Sequence, residues 1–256
     1  MAEIVSFSNQ KGGVGKTTST LNLSASLAAA DKSCLIVDCD PQGNATTGLG
    51  LDPSSIETGL YDVLLGGADP RQSVCKTPLP RLSIICADTD LVGAEVEITS
   101  LDEREHLLSR ALSPLSGDYD FIFLDCPPSL GFLTLNALTA ADSLLVPLQC
   151  EYYALEGLTH LLETLAAVKR SLNRRIELSG IILTMYDARN NLSLQVEQEV
   201  RDHFRQKVFK TVIPRNVRLS EAPSHGLPAL LYDIRSKGAQ SYLSLAQEFL
   251  DRRKKS

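Results

Sequence analysis

Lys11-Gly12-Gly13-Val14-Gly15-Lys16-Thr17 gathers three glycines, two lysines and a hydroxyl into seven residues, a spacing suited to holding a polyphosphate. Gly12, Gly13 and Gly15 let backbone N–H groups approach phosphate oxygens closely, and a helix starting behind them adds its positive N-terminal end. Lys16 is then the point charge on the β- and γ-phosphates, Thr17 offers a hydroxyl to Mg²⁺, and Thr18 is placed to bond the α-phosphate. Gln10 stands where the general pattern has its first glycine. Lys11 has no role in this minimal reading, and its side chain is expected to leave the loop rather than enter it.

Two further positions could do chemistry. Asp125 ends an apolar run, as does a carboxylate that holds a water of the Mg²⁺ shell from across such a loop. Asp38 and Asp40 end another run with one residue between them, so in extended geometry both side chains lean the same way and converge. Carboxylates beside a triphosphate repel it unless metal, water or lysine intervenes, which points to placing the metal shell or the attacking water. Asp40, nearer the loop, is expected to orient and polarise that water.

The elements that must position these residues are legible as alternating patterns. Apolar runs at 3–8, 33–38, 82–86, 120–125, 143–148 and 178–184 read as buried strands. Segments 19–30, 102–113, 131–141, 154–170, 192–205 and 238–252 carry helical spacing, and 50–80 reads as an irregular excursion with short helices. This βα alternation predicts an α/β fold: one doubly wound, mostly parallel sheet with helices on both faces, over a single domain spanning 1–256. Ligands of such sheets bind at the carboxyl ends of the strands, where the glycine loop and both acidic signals fall.

At 256 residues, with 43% apolar and 22% charged content, the chain has the composition of a soluble globular protein. It contains no run of 18 apolar residues and no basic-apolar-cleavable start, so a cytoplasmic location is expected. The six cysteines lack any C-x-x-C pair and read as small buried hydrophobes rather than zinc or iron–sulfur ligands. Net charge is −6 but uneven. Residues 1–168 hold 8 Lys/Arg against 22 Asp/Glu, whereas 169–218 hold 11 against 5, a local +6 that suits an anionic partner. The terminal Arg252-Arg253-Lys254-Lys255 reads as a frayed solvated tail.

Three signatures together, the loop at 11–17, Asp38 to Asn44 and Asp125 to Ser129, resemble the deviant Walker-A ATPases. Cys150 to Gly157, Thr184 to Arg189 and Pro214 to Gly226 narrow the resemblance, over nearly the whole chain, to the ParA/Soj-type chromosome partition ATPases. The resemblance implies Mg²⁺-dependent hydrolysis of ATP by a homodimer that sandwiches two nucleotides, with Lys11 reaching the phosphates held by the other subunit. It makes Gly12 a contact point with that subunit. It also implies an adenine pocket at Pro214 and Asn216 with Met185 as an apolar wall, and non-specific DNA binding through Arg189 and Arg218. A ParB/Spo0J-type centromere-binding partner and a nucleoid-associated location follow from the same likeness.

With the first strand starting by residue 4, an operator-binding N-terminal helix-turn-helix is not expected. The alternative is a MinD-type membrane-positioning ATPase, which shares the loop but ends in an amphipathic membrane helix. Here Leu243, Leu245, Ala246, Phe249 and Leu250 suit a helix packed on the core. A metabolic ligase or reductase on the same scaffold is a third class.

Overall fold

The computed structural model describes residues 1–254; Lys255, part of the terminal basic cluster, lies outside them. The apolar runs form strands β1 (Glu3–Phe7), β2 (Cys34–Asp38), β4 (Leu82–Ile85), β5 (Phe121–Asp125), β6 (Ser143–Gln149) and β7 (Glu177–Thr184). With β3 (Val74–Lys76) they make one seven-stranded sheet in the order β3-β4-β2-β5-β1-β6-β7. Every pairing is parallel except β3 with β4.

Both sheet faces are covered, and strict alternation along the strands separates them. Leu35, Val37, Ile122 and Leu124 face a core shared with α3 (Leu91–Glu97), α4 (Leu107–Leu112), α5 (Phe132–Ala140), α6 (Ala154–Ser171) and α7 (Asn191–Phe204). Cys34, Ile36, Phe121 and Phe123 face the other core, under α1 (Lys16–Ala29) and α10 (Lys237–Arg253). Short helices α2 (Asn44–Gly48), α8 (Val217–Glu221) and α9 (Ala229–Tyr232) add Ala45, Leu219 and Ala229 to this second core. Helix α1 is rich in Ser, Thr and Ala and buried nearly all round, since α10 packs over it and Tyr242 bonds Ser19 Oγ at 3.0 Å. Tyr242, Leu245, Ala246 and Phe249 of α10 are all buried, so its apolar side serves the core.

Where structure and sequence pattern differ, a local cause is visible. The excursion at 50–80 hides edge strand β3, too short to show a period. The run at 102–113 is not one helix: Glu103 adopts a left-handed φ of 49°, so a 3₁₀ turn at Arg104–His106 precedes α4, and Ser113-Pro114 ends it. Helix α3 escaped notice because two of its outward residues are valines. Pro147 sits inside β6, tolerated because β1 has already ended and only β7 pairs there. Arg252 and Arg253 are not a solvated tail. Arg252 pairs with Glu248 at 2.8 Å and lies over the Phe209 ring, while Arg253 pairs with Glu3 at 2.5 Å and lies over Phe249. Their charges are used within the fold.

Five cysteines are buried and Cys75 is partly so, none bridged. No described helix is long and apolar enough to cross a membrane.

Candidate functional site

The site is built where β1, β5 and β2 end together. The parallel registers set Phe7 beside Asp125 and Asp125 beside Asp38, bringing residues far apart in sequence to one level at the carboxyl edge. The glycine loop follows β1 at this edge. Gly13 (φ 73°) and Gly15 (φ 87°) adopt left-handed backbone that other residues resist, which turns the chain into the first turn of α1. Asn9 shapes the entry: its Nδ2 donates to Pro147 O at 2.8 Å and its Oδ1 accepts the Lys11 N–H at 3.0 Å. Thr184, at the end of β7, clamps the far side by donating to Val14 O at 2.8 Å. Sequence reasoning missed both anchors, though an Asn two residues before a tight turn is a recognisable Asx signal.

Lys16 is buried, with Nζ 3.3 Å from Lys11 O. Desolvation pulls its pKa down while Asp125 and Asp40 hold it up. Lys16 forms no ion pair among the described residues. Thr20 donates to Asp125 Oδ1 at 2.9 Å, whereas Asp125 Oδ2 is buried with no hydrogen-bond partner. Burial pushes this carboxyl up, with the Thr17 and Thr20 hydroxyls pulling it back. An orphaned, buried carboxylate oxygen beside a phosphate loop fits a divalent cation or its water shell, which would restore the missing partner.

Asp38 and Asp40 do not converge as the extended pattern suggested. Asp38 is fully buried and turned to α2: Oδ2 accepts Thr46 N–H and Oγ1, both at 2.8 Å, and Oδ1 accepts Asp40 N–H at 3.3 Å. It shapes the loop. Asp40 instead lines a cavity of 440 Å³ with Gly12, Gly13, Lys16, Thr17, Thr18 and Pro128, and its Oδ1 accepts the Gln42 N–H at 3.0 Å. Strand β2 ends at Asp38, so the period-2 argument does not carry on to Asp40.

Burial and the neighbouring Asp125 push the Asp38 carboxyl up despite its three donors. The folded chain therefore holds a proton that the unfolded chain releases, and stability falls as pH rises above the ordinary value of 3.8 toward the raised one. Asn at this position is less stable outright, since its NH₂ meets a donor, but it cannot titrate. Between pH 8 and 5, the wild-type melting temperature is expected to rise against Asp38→Asn by a few °C, as ~1 kcal/mol shifts it by about 2–4 °C at this size. Calorimetry of nucleotide-free protein checks this; a pH-independent difference would contradict it.

A second 440 Å³ cavity adjoins the first through Gly15, Thr18, Met185 and Pro223. Pro214 and Asn216 line it, along with Ile213, Val217 and Tyr242. Its wall is pinned to the sheet: Tyr186 N–H donates to Ile213 O at 3.0 Å and Arg215 N–H to Tyr186 O at 3.2 Å, continuing β7 as an isolated parallel bridge. Met185 holds a φ of 49° here, a strained setting for a long side chain and a mark of an over-determined site. Asn216 Oδ1 caps α8 through Arg218 N–H at 3.1 Å.

Lys11 does leave the loop. Its Nζ pairs with Glu151, after β6, and both side chains are more than 40% exposed. Arg189 lies outside the cavities, bound at 2.9 Å to Asp187, and Arg218 is held by Glu221 at 2.7 Å and Asp233 at 3.4 Å. The Tyr186–Pro214 bridge sets the segments carrying them side by side.

Comparison with known proteins agrees with this geometry. A family model described as an AAA domain matches residues 2–178. The sporulation initiation inhibitor protein Soj of Bacillus subtilis is 54% identical over 97% of this chain and 98% of its own. The chromosome partitioning protein ParA of Myxococcus xanthus is 53% identical over 98% and 89%. Among solved structures, a cobyrinic acid a,c-diamide synthase from Mycobacterium smegmatis with bound ATP analogue and magnesium superposes with a TM-score of 0.87 at 37% identity, covering 99% of this chain and 96% of that one. The septum site-determining protein MinD of Pyrococcus horikoshii, complexed with Mg-ADP, gives 0.80 at 29%, covering 97% and 96%. A phosphate loop, a buried lysine, a strand-end aspartate and full-length identity above half to named partitioning proteins lead to one conclusion: the chain belongs to the Soj/ParA family of chromosome partitioning proteins.

Proposed function

We propose that this chain is a Mg²⁺-dependent ATPase whose ATP-bound form dimerises, binds DNA without sequence preference and is reset by a ParB-type partner in chromosome partitioning. The observation that carries the reading is the continuous cleft running from the glycine loop and buried Lys16 to the Pro214–Asn216 wall, with the orphaned Asp125 oxygen at its base. Triphosphate lies along Gly12 to Thr18, and adenine lies between Met185 and Pro214. Thr17 and Asp125, with Asp40 at the rim, would hold Mg²⁺, which supplies charge neutralisation on the phosphate oxygens. Asp40 orients the attacking water by accepting its proton.

Two features support a second copy of the chain over the cleft. A Cβ built on Gly12 meets nothing within 4 Å, and Gly12 lacks a positive φ, so neither packing nor backbone within one chain calls for glycine there. Releasing Lys11 from Glu151 is cheap, since exposed pairs of this kind contribute about 0.2–1 kcal/mol. Lys11 is then free to meet the phosphates across the interface.

DNA binding is assigned to Arg189 and Arg218, within the stretch of local charge +6. Each must leave an exposed carboxylate partner, a similarly small cost, in exchange for phosphate. The dimer presents both arginines twice. Log affinity falls by about 0.9 per phosphate contact per log unit of salt. Replacing both arginines by alanine should weaken binding to all duplex sequences alike and flatten the salt slope, with ATP-dependent dimerisation intact. Fluorescence anisotropy on random duplexes tests this, and equal affinity in ADP, or an unchanged slope in the double variant, would refute it.

A further inference from the structure

The outer face of α3 is an apolar surface that the fold leaves unexplained. Leu91, Ala94 and Ile98 pack inward, while Val92 and Val96, one turn apart, are 63% and 74% exposed. Valine is a mediocre helix former, and nothing among the described residues covers these two. Leu101, just after the helix, and Leu130, before α5, are also exposed. Its surroundings carry one sign of charge. Between Arg81 and Arg104 there is no Lys or Arg, but there are six acidic residues, of which Asp90, Glu97, Asp102 and Glu103 are exposed, Glu103 being paired with Arg110. Arg104 itself is turned back onto Thr99 O and the Phe132 ring.

The inner side of the same helix is wired to the cleft. Glu95 accepts the N–H groups of Phe132 at 2.7 Å and Leu133 at 3.1 Å, capping the first turn of α5. The fit is close enough that a Cβ on Gly131 would lie 2.4 Å from the carboxylate. Residues 126–131, between Asp125 and this cap, include Pro128, which lines the phosphate cavity. One carboxylate thus ties α3 to the loop that follows the metal-site aspartate.

We propose that the Val92–Val96 face of α3 docks a basic, amphipathic segment of the partner protein, and that Glu95 relays its occupancy to the loop after Asp125. An apolar stripe flanked mostly by carboxylates selects a segment with apolar anchors flanked by Lys or Arg, and it disfavours DNA. The inference rests on the partner-stimulated ATPase reading above and names its surface.

The test measures ATP hydrolysis with and without the ParB-type protein of the same genome, on wild type, Val92→Ser/Val96→Ser and Glu95→Gln, with DNA present. The double serine variant should keep basal hydrolysis and its ATP-dependent dimer while needing at least tenfold more partner for the same stimulation. Glu95→Gln should bind partner as wild type in anisotropy but respond weakly. Wild-type stimulation of the double serine variant would overturn the surface and leave the partner reading standing. Loss of its dimer would instead assign the face to a second copy. Full stimulation of Glu95→Gln would overturn the relay. A wild type that no amount of partner stimulates would overturn the partner reading and this inference with it.

Discussion

Lys16→Ala is expected to lose ATP binding and everything that follows from it while keeping its fold. In the nucleotide-free chain the lysine is buried, desolvation works against its charge, and its side chain's only hydrogen bond among the described residues is a 3.3 Å contact with Lys11 O. Removing it breaks no short ion pair but takes a favourable charge from beside the buried Asp125 carboxylate, so the melting temperature without nucleotide should change little. With nucleotide the balance reverses. The β- and γ-phosphates then face the carboxylates of Asp40 and Asp125 without the intervening cation, and losing one partner of a desolvated charge pair costs about 2–5 kcal/mol, roughly 30-fold to several thousandfold in Kd. Isothermal calorimetry with Mg-ATP decides it, and an affinity within threefold of wild type would remove Lys16 from the phosphate site.

Most of this site was legible because it is local. Gly13, Gly15, Lys16 and Thr17 sit within five residues, and the strand and helix that flank them have clear periods. Asp125 was legible as the last residue of an apolar strand. The division of labour between Asp38 and Asp40 was not, because it depends on Thr46, eight residues beyond Asp38, offering two donors to one carboxylate. Thr184 was invisible for a stronger reason: its contact with Val14 spans 170 positions. The tail arginines were misread because their partners, Glu3 and the Phe209 ring, lie far back in the chain. Long-range pairing is the part of the fold that periodicity cannot report, and the missed α3 adds a second lesson. A helix whose outward face includes valines offers no polar stripe to set its period.

Asp40→Ala is expected to bind ATP, dimerise and remain there. Asp40 lines the phosphate cavity, and its side chain's only hydrogen bond among the described residues is from Gln42 N–H, so truncation disturbs little of the cradle. Lys16, Thr17 and the glycine backbone remain to hold phosphate as proposed, and Lys11 and Gly12 remain on the face proposed to meet a second chain. What is lost is the group proposed to position and polarise water, a role worth typically about 10²–10⁴-fold in rate. Hydrolysis should fall by at least a hundredfold with ATP affinity unchanged.

That arrest makes the sandwich dimer directly observable. Light scattering on Asp40→Ala in Mg-ATP should give a species of twice the 27.8 kDa chain mass, reverting to one chain in ADP. Adding Lys11→Ala or Gly12→Val to the same variant should return it to a single chain in ATP with nucleotide still bound. A monomer in the Asp40→Ala variant with ATP bound, or a stable dimer that survives loss of Lys11, would contradict an ATP-driven dimerisation switch.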